Sequence, residues 1–351
     1  MSVVNLTING KAVQASAGQT IMEAARRAGI PIPHLCYHPD LSHEGSCRLC
    51  VVEVDKVRLL QSSCTTPVAE GMVVWTESPR VVEARKVILD LLLSNHREDC
   101  LTCEKCGDCR LQAYAYQYGV REPSFAGARR RYPVDDGNPF FERDHEKCIL
   151  CGRCVRMCYE QQGSEAIDFA YRGFRTKIAA GLDAGLESSS CVFCGNCVQV
   201  CPTGALQPKA TKGLGRTWEI QKVRTTCSYC GVGCSLYLHV KEGRVVGASG
   251  ADGPANHNLL CVKGRFGWDY IHSPDRLTTP LVRKNGVLVE ASWDEALDLV
   301  AARLKEIRDR DGGEAIGVLA SAKCTNEENY LMQKFARGVL GTNHVDHCAR
   351  L

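Results

Sequence analysis

Cysteine dominates the chemistry that this chain can perform, with 22 cysteines among 351 residues. Most of them recur at gaps of two or three residues, a spacing that brings several thiolates to one metal ion or cluster. Disulfides are the alternative use of so many cysteines, and they belong to oxidising compartments. Residues 1–11 are typical of a strand rather than of a secretory signal. The chain is therefore expected to be cytoplasmic, with cysteines that bind metal.

The most specific cysteine pattern occurs twice. The spacing C-x2-C-x2-C-x3-C begins at Cys148 and again at Cys191, and Pro202 follows the second copy. Bacterial two-cluster ferredoxins have this pattern, and in them the fourth cysteine of each copy binds the other cluster. The pattern predicts two [4Fe–4S] clusters, named here the Cys148 site (Cys148, Cys151, Cys154, Cys201) and the Cys191 site (Cys191, Cys194, Cys197, Cys158).

An earlier group has one C-x2-C pair and two outer cysteines on separate loops. The pair places two thiolates on one side of a tight loop, and the outer cysteines can close the cage. With a β-hairpin and a helix before it, the group resembles the plant-type [2Fe–2S] ferredoxin arrangement with altered spacing. A structural zinc site is the alternative, although such sites usually have two close pairs. The group predicts one [2Fe–2S] cluster at the Cys36 site (Cys36, Cys47, Cys50, Cys64).

The next group reads H-x3-C-x2-C-x5-C and resembles the His-ligated [4Fe–4S] site of complex I and iron hydrogenases. Cys106 lies inside the motif, so an all-cysteine set with Cys106 in place of His96 remains open. Imidazole is neutral where thiolate is anionic, so a histidine ligand would raise the cluster potential. We expect the ligands of this [4Fe–4S] cluster, the His96 site, to be His96, Cys100, Cys103 and Cys109.

A last group has the spacing C-x2-C-x3-C-x26-C. Gly231 and Gly233 permit a loop that turns its backbone N–H groups towards sulfide. Zinc is the alternative occupant of this group. The remaining cysteines, Cys324 and Cys348, are expected to be small buried hydrophobic residues. The group predicts a [4Fe–4S] cluster at the Cys227 site (Cys227, Cys230, Cys234, Cys261).

Local patterns predict the elements that must hold these sites. An Asn9-Gly10 turn between two apolar alternating runs is typical of a β-hairpin. Thr20 can cap a helix that ends at Gly29, and an amphipathic helix over residues 80–94 leads to His96. Two stretches are expected to be linkers, at 119–138 and 209–215. Further strands are predicted at 51–54, 72–75, 287–290 and 316–319, and helices at 293–308 and 326–340.

Five phrases towards the end of the chain have a family resemblance: Cys230-Gly-Val-Gly-Cys234, Cys261-Val-Lys-Gly-Arg265, Arg276-Leu-Thr-Thr-Pro280, Trp293-Asp-Glu-Ala-Leu297 and Thr342-Asn-His-Val-Asp-His-Cys-Ala-Arg-Leu351. This part resembles the catalytic subunit of molybdenum- or tungsten-dependent formate dehydrogenases. The first 210 residues or so resemble the cluster-bearing arm shared by NAD-linked formate dehydrogenases, complex I and iron hydrogenases.

The resemblance implies an α+β multidomain chain with five regions. These are a β-grasp [2Fe–2S] ferredoxin domain (1–79), a small helical His/Cys cluster domain (80–119), a two-cluster [4Fe–4S] ferredoxin domain (139–210), a molybdopterin-oxidoreductase [4Fe–4S] domain (220–275) and the truncated start of an α/β molybdopterin-binding domain (276–351).

The resemblance also implies a formate dehydrogenase that oxidises formate to CO2 at molybdenum or tungsten held by two molybdopterin guanine dinucleotides. Lys263 would relay electrons between the Cys227 site and the pterin. The metal ligand, selenocysteine or cysteine, is expected at position 352, and a UGA codon misread as stop is our expectation there. A cloning boundary or a split subunit are the alternatives. This chain alone is expected to be inactive but still to conduct electrons.

No Gly-x-Gly-x-x-Gly fingerprint follows a strand and no Walker loop is present, so NAD or flavin is expected on a partner iron–sulfur subunit of an oxidoreductase complex, with a hydrogenase among the candidates. The alternative function is a non-catalytic iron–sulfur subunit of a complex I-like NADH dehydrogenase or a hydrogenase complex, without pterin. The net charge of +3 is too small to indicate nucleic acid or a membrane surface as a partner, and neither is expected. No apolar stretch is long enough to span a bilayer.

Overall fold

The computed structural model describes residues 2–348, apart from the side chain of Cys348. The chain divides into two compact units, Met1–Gln221 and Lys222–Leu351. The predicted burial of the Cys348 side chain, and the end of the phrase that runs to Leu351, lie outside the described residues.

The first unit begins with a helix and a mixed sheet: β1 (Val3–Ile8), β2 (Lys11–Ser16), α1 (Ile21–Arg27), β3 (Val51–Val54), β4 (Gln61–Ser62) and β5 (Met72–Trp75). The strand order is β2-β1-β5-β3-β4, and β1 runs parallel to β5 while the other neighbours are antiparallel. The turn after β1 places Asn9 at φ 52° and Gly10 at φ 79°, as a type I′ hairpin requires. This arrangement is the expected β-grasp domain.

Helix α1 begins and ends where its capping residues predict. The side chain of Thr20 accepts a hydrogen bond from the Glu23 N–H, and the Glu23 carboxylate accepts one from the Thr20 N–H, which forms a capping box. The helix ends two residues before Gly29, which has a φ of 72°. Ile21 and Met22 are fully buried, so they hold helix α1 in the core. The loop with the first cysteines follows this helix in the sequence.

Helices α2 (Pro79–Leu93) and α3 (Arg110–Gln117) share one core with the loops around the first cysteine group. Ser78 caps α2, with Pro79 at its first position. Leu35 and Leu49, which are neighbours of Cys36 and Cys50, pack against Leu89 and Leu111 of the two helices. The helices therefore attach the Cys36 loops to the segment that carries the next cysteines.

The loop before the short helix has nearly the same backbone in both copies of the duplicated cysteine unit, and the copies differ after that helix. The elements of the unit are β6 (Phe141–Arg143), α4 (Arg153–Arg156) continued by a π-helical turn (Met157–Gln161), β7 (Asp168–Ala170), β8 (Lys177–Ala179), α5 (Asn196–Val200) and β9 (Leu206–Pro208). β6 pairs antiparallel with β9, and β7 with β8. Gly152 (φ 68°) and Gly195 (φ 69°) precede α4 and α5 in equivalent positions.

The stretch 119–138, which was expected to be a linker, has no regular secondary structure, but hydrogen bonds attach it to the rest of the first unit. Arg130 donates hydrogen bonds to the carbonyl oxygens of Thr176 (3.2 Å) and Cys148 (3.1 Å), and its backbone N–H donates to Asn95 Oδ1 (2.8 Å). Asp135 forms a β-bridge with Arg143. The linker prediction rests on the many Arg, Pro and Gly residues of this stretch, but Arg130 fixes the segment to the cluster loops.

The second unit contains small sheets and two longer helices: β10 (Gln221–Thr226), β11 (Ser235–Lys241), β12 (Arg244–Gly250), α6 (Val262–Phe266), β13 (Leu281–Lys284), β14 (Val287–Glu290), α7 (Trp293–Asp311), β15 (Val318–Ser321), α8 (Asn326–Phe335) and β16 (Val345–Cys348). β10, β11 and β12 form one sheet, and β13 pairs with β14. β15 and β16 are parallel, with α8 between them, which is a βαβ unit.

Two details of the second unit differ from expectation. Helix α8 passes into a π-helical turn at Ala336–Leu340, before Gly341 at φ 76° ends it. Cys324 is exposed, so its predicted burial is wrong. It lies in the turn between β15 and α8, where the chain crosses the surface rather than the core.

Arg85 provides a stability test because it is fully buried in helix α2. It donates to the carbonyl oxygens of Leu49 (3.1 Å) and Val51 (2.8 Å) and pairs with Glu77. Arg85→Met should cost about 2–4 kcal/mol, since it leaves two buried carbonyl oxygens without a donor. The cost should appear as a lower thermal transition in calorimetry. Arg80→Met, which removes a half-exposed ion pair from the same helix, should cost less than about 1 kcal/mol. Equal losses of stability in the two variants would contradict the stabilising role of Arg85.

Candidate metal centres

The four cysteines of the Cys36 site lie together in the structure. The Sγ atoms of Cys50 and Cys64 are 3.4 Å apart, and the backbone N–H of Cys36 donates to Cys47 Sγ at 3.4 Å. Cys36, Cys50 and Cys64 are each at most 1% exposed. Loops after α1 and around β3 and β4 therefore deliver four sulfurs to one closed position.

The thiols of the Cys36 site also stabilise one another's charge. A hydrogen bond from Cys47 lowers the pKa of Cys36, and one from Cys64 lowers the pKa of Cys50 to about 6. The pKa of Cys64 is raised in turn by hydrogen bonds with Cys36 and Cys50. Sulfurs this close, of which some readily become thiolates, are the donor set that a [2Fe–2S] cluster requires.

The duplicated unit forms two separate cavities, each lined by four cysteines. One is lined by Cys148, Cys151, Cys154 and Cys201, and the other by Cys158, Cys191, Cys194 and Cys197. The fourth cysteine of each copy has thus crossed to the cavity of the other copy, which is the grouping expected for a two-cluster ferredoxin. The ligand assignment itself stays a prediction.

Backbone N–H groups point at sulfur in both copies. Leu150 N donates to Cys148 Sγ and Phe193 N to Cys191 Sγ, each at 3.4 Å. Leu150 (φ 51°) and Phe193 (φ 53°) are left-handed, a conformation that costs a non-glycine residue roughly 1–2 kcal/mol. The same backbone strain occurs in both copies, and the hydrogen bonds from these amides to anionic sulfur compensate for it. The loops therefore fit iron–sulfur clusters.

The segment that carries the His96 site lies against the duplicated unit, where the Arg97 N–H donates to the Glu146 carbonyl oxygen at 3.0 Å. Burial, with a smaller contribution from the positive charge of Lys147, lowers the pKa of His96 to about 4, so the imidazole is neutral at pH 7. Its Nδ1 atom is buried and has no hydrogen-bond partner. Cys106 Sγ, the alternative ligand, accepts a hydrogen bond from Gln112 Nε2 at 3.6 Å. Cys103 and Cys106 both lie near enough to raise the pKa of Cys100, after burial.

The Cys227 site is built at the start of the second unit. Cys227 N donates to the Cys234 carbonyl oxygen at 2.8 Å, which closes the loop between β10 and β11. Burial first, and then the charges of Cys227, Cys230 and Cys261, raise the pKa of Cys234, so these three thiols lie within electrostatic reach of Cys234. Lys263 follows Cys261 in α6 and is half-buried. The assignment of the four cysteines to one [4Fe–4S] cluster stays a prediction.

Arg156 connects two of the sites, a role that cysteine spacing did not predict. Its Nη2 donates to the carbonyl oxygens of Cys36 (2.7 Å) and Cys151 (3.2 Å). The equivalent residue in the second copy is Gln199. A comparison of the two copies would have drawn attention to this added charge, although not to its partner 120 residues away.

The Cys148 site also contacts the His96 site. The residue after Cys109, Arg110, donates its N–H to the carbonyl oxygen of Pro202, the residue after Cys201, at 3.1 Å. Lys147 Nζ lies 3.0 Å from Asp99 Oδ2, which joins the residues that precede Cys148 and Cys100. The Cys148 site therefore contacts both the Cys36 site and the His96 site.

Comparison with known families assigns each region. The chain matches the 2Fe-2S iron-sulfur cluster binding domain at 2–79, the NADH-ubiquinone oxidoreductase-G iron-sulfur binding region at 85–124, and the ferredoxin-like domain of NADH-quinone oxidoreductase subunit 3 at 138–207. It matches the molybdopterin oxidoreductase Fe4S4 domain at 220–273 and the molybdopterin oxidoreductase family at 276–351. The predicted fold class is confirmed.

Individual relatives share the whole chain. Over 99% of it, the chain is 39% identical to an NADH-quinone oxidoreductase subunit of Rhizobium meliloti and 38% identical to NADPH-Fe(3+) oxidoreductase subunit alpha of Geobacter sulfurreducens. It is 35% identical to “Putative formate dehydrogenase YrhE” of Bacillus subtilis. The chain spans 40% of the length of each of these relatives.

A solved structure of an NAD+-reducing [NiFe]-hydrogenase in the H2-reduced state matches with a TM-score of 0.57 and 35% identity. The match covers 60% of this chain and 90% of the hydrogenase chain. Among residues 2–348, no helix is long and apolar enough to cross a membrane.

The ligand choice at the His96 site can be tested by substitution and iron analysis. His96→Ala should remove about four irons per chain and should also remove one [4Fe–4S] EPR signal, because only three ligands remain for that cluster. Cys106→Ala should keep full iron, since Cys106 is not among the four expected ligands. The reverse result, with iron lost only in Cys106→Ala, would establish the all-cysteine set.

Proposed function

We propose that this chain, which carries iron–sulfur and molybdopterin oxidoreductase domains, conducts electrons released by formate oxidation to a partner subunit. The grouping of four cysteines around each of two separate cavities carries the proposal, because adjacent clusters are what a conductor needs.

We propose one [2Fe–2S] cluster at the Cys36 site and four [4Fe–4S] clusters at the other sites. The clusters supply one-electron chemistry when bound. The contacts of Arg156 and of Arg110 support a central place for the Cys148 site. Electrons that reach it from the Cys191 site can pass either to the Cys36 site or to the His96 site.

The substrate proposal rests on the second unit and on its relatives. The Cys261-Val-Lys-Gly-Arg265 and Asp346-His-Cys-Ala-Arg350 phrases are those of the formate dehydrogenase resemblance. A relative 35% identical over 99% of this chain has a formate dehydrogenase name. We propose molybdenum or tungsten with a bis-pterin cofactor in the complete protein, and Lys263 as the relay between that cofactor and the Cys227 site.

The acceptor is proposed to be a partner iron–sulfur subunit that binds flavin and NAD. The names of similar proteins support this, since they include NADH, NADPH and NAD+-reducing enzymes. The second candidate function is a conductor without pterin, in an NADH dehydrogenase or hydrogenase complex. The 39% identity to the NADH-quinone oxidoreductase subunit of Rhizobium meliloti favours that candidate.

Metal analysis and formate reduction of the full-length protein separate these functions. We expect molybdenum or tungsten near one per chain, and bleaching of the iron–sulfur absorbance by formate under anaerobic conditions. Lys263→Met should slow this bleaching, whereas Lys263→Arg should slow it less, because the positive charge stays near the cluster. Full bleaching by dithionite with no response to formate, in a protein that holds iron alone, would establish the pterin-free conductor.

A further inference from the structure

Arg143 is a buried arginine whose side chain lines both cavities of the duplicated unit. It is the last residue of β6 and is 4% exposed. Its backbone pairs with Leu206 of β9 on one side and with Asp135 on the other. The residue is therefore held on both sides, at a position that the Cys148 site and the Cys191 site share.

The guanidinium of Arg143 lacks the partners that a buried cation needs. Nη1 donates to the carbonyl oxygen of Ile178 at 2.8 Å, but Nε and Nη2 are buried without any hydrogen-bond partner. In the part of the chain that the structure describes, no carboxylate forms an ion pair with it. Nearby Lys147, in contrast, pairs with Asp99 and Asp144. An unpaired buried charge costs several kcal/mol, so Arg143 requires an anion.

The sulfurs of both sites are within electrostatic reach of this cation. Arg143 and Cys154 line one cavity of the duplicated unit, and Arg143 and Cys197 line the other. Cys154 belongs to the Cys148 site and Cys197 to the Cys191 site, so one charge faces anionic sulfur on two sides.

We propose that Arg143 is a positioning residue shared by the two ferredoxin-type clusters, and that its guanidinium supplies the counter-charge to both. Each cluster with four thiolates is an anion, and reduction adds one further negative charge to it. A fixed cation in a buried site therefore favours the reduced form of each cluster. The inference rests on the proposed assignment of [4Fe–4S] clusters to these two sites.

The test is a redox titration of the full-length holoprotein, followed by EPR, with charge-removing and charge-keeping variants. In Arg143→Gln, the ratio of reduced to oxidised cluster at a fixed potential should fall about tenfold or more at both sites. Arg143→Lys keeps the charge and should stay near the wild-type ratio at both. These ratios measure cluster potentials and do not depend on turnover.

Arg153→Gln is the matched control. Arg153 is equally buried, and the thiolates that act on it, Cys151 and Cys201, both belong to the Cys148 site. Its removal should change the ratio at one cluster only, which also identifies the signals. A change at one cluster or at none in Arg143→Gln, with full iron content, would overturn the shared role.

The test also gives a definite result if an Arg143 variant loses its clusters. If Arg143→Gln loses iron, Arg143→Lys should retain it; iron loss in both variants would overturn the proposal, because the bond to Ile178 rather than the charge would then be essential. Failure of the proposed cluster assignment would give a different result, since the wild-type protein itself would lack the two [4Fe–4S] EPR signals.

Discussion

Negative charge on sulfur that is shielded from water is the constraint on which the structure depends. Thiolates and cluster sulfides cannot be buried without compensation. The first unit supplies it in two ways: backbone N–H groups in left-handed loops, as at Leu150 and Phe193, and arginine side chains behind the ligand loops. The apolar core is correspondingly divided, with one part under the mixed sheet and another between α2, α3 and the Cys36 loops.

The types and spacing of residues that are close in sequence predicted most of the turns, helix caps and strands that such residues form. The Asn9-Gly10 hairpin, the Thr20 cap and strand β3 occur as predicted, because turn and cap chemistry acts within a few residues. The crossed grouping of Cys158 and Cys201 followed from a known pattern of spacing.

The features that spacing missed depend on tertiary contacts. Arg156 meets Cys36 across 120 residues of sequence, and Arg143 reaches two cavities only because β6 pairs with β9. Arg130 lies in a stretch whose composition indicated a linker. Charged residues are usually solvated, so composition could not distinguish these three from surface arginines.

The bond from Arg156 to the carbonyl groups of Cys36 and Cys151 has a consequence for electron tunnelling. Tunnelling slows steeply as the gap between two redox centres widens, so thermal breathing between neighbouring domains would make the rate fluctuate. Here one guanidinium clamps a ligand loop of each centre, and the gap is bridged by a short covalent and hydrogen-bonded route. With the proposed clusters bound at the two sites, this contact would hold the two ligand loops together and limit the variation of the gap between the centres.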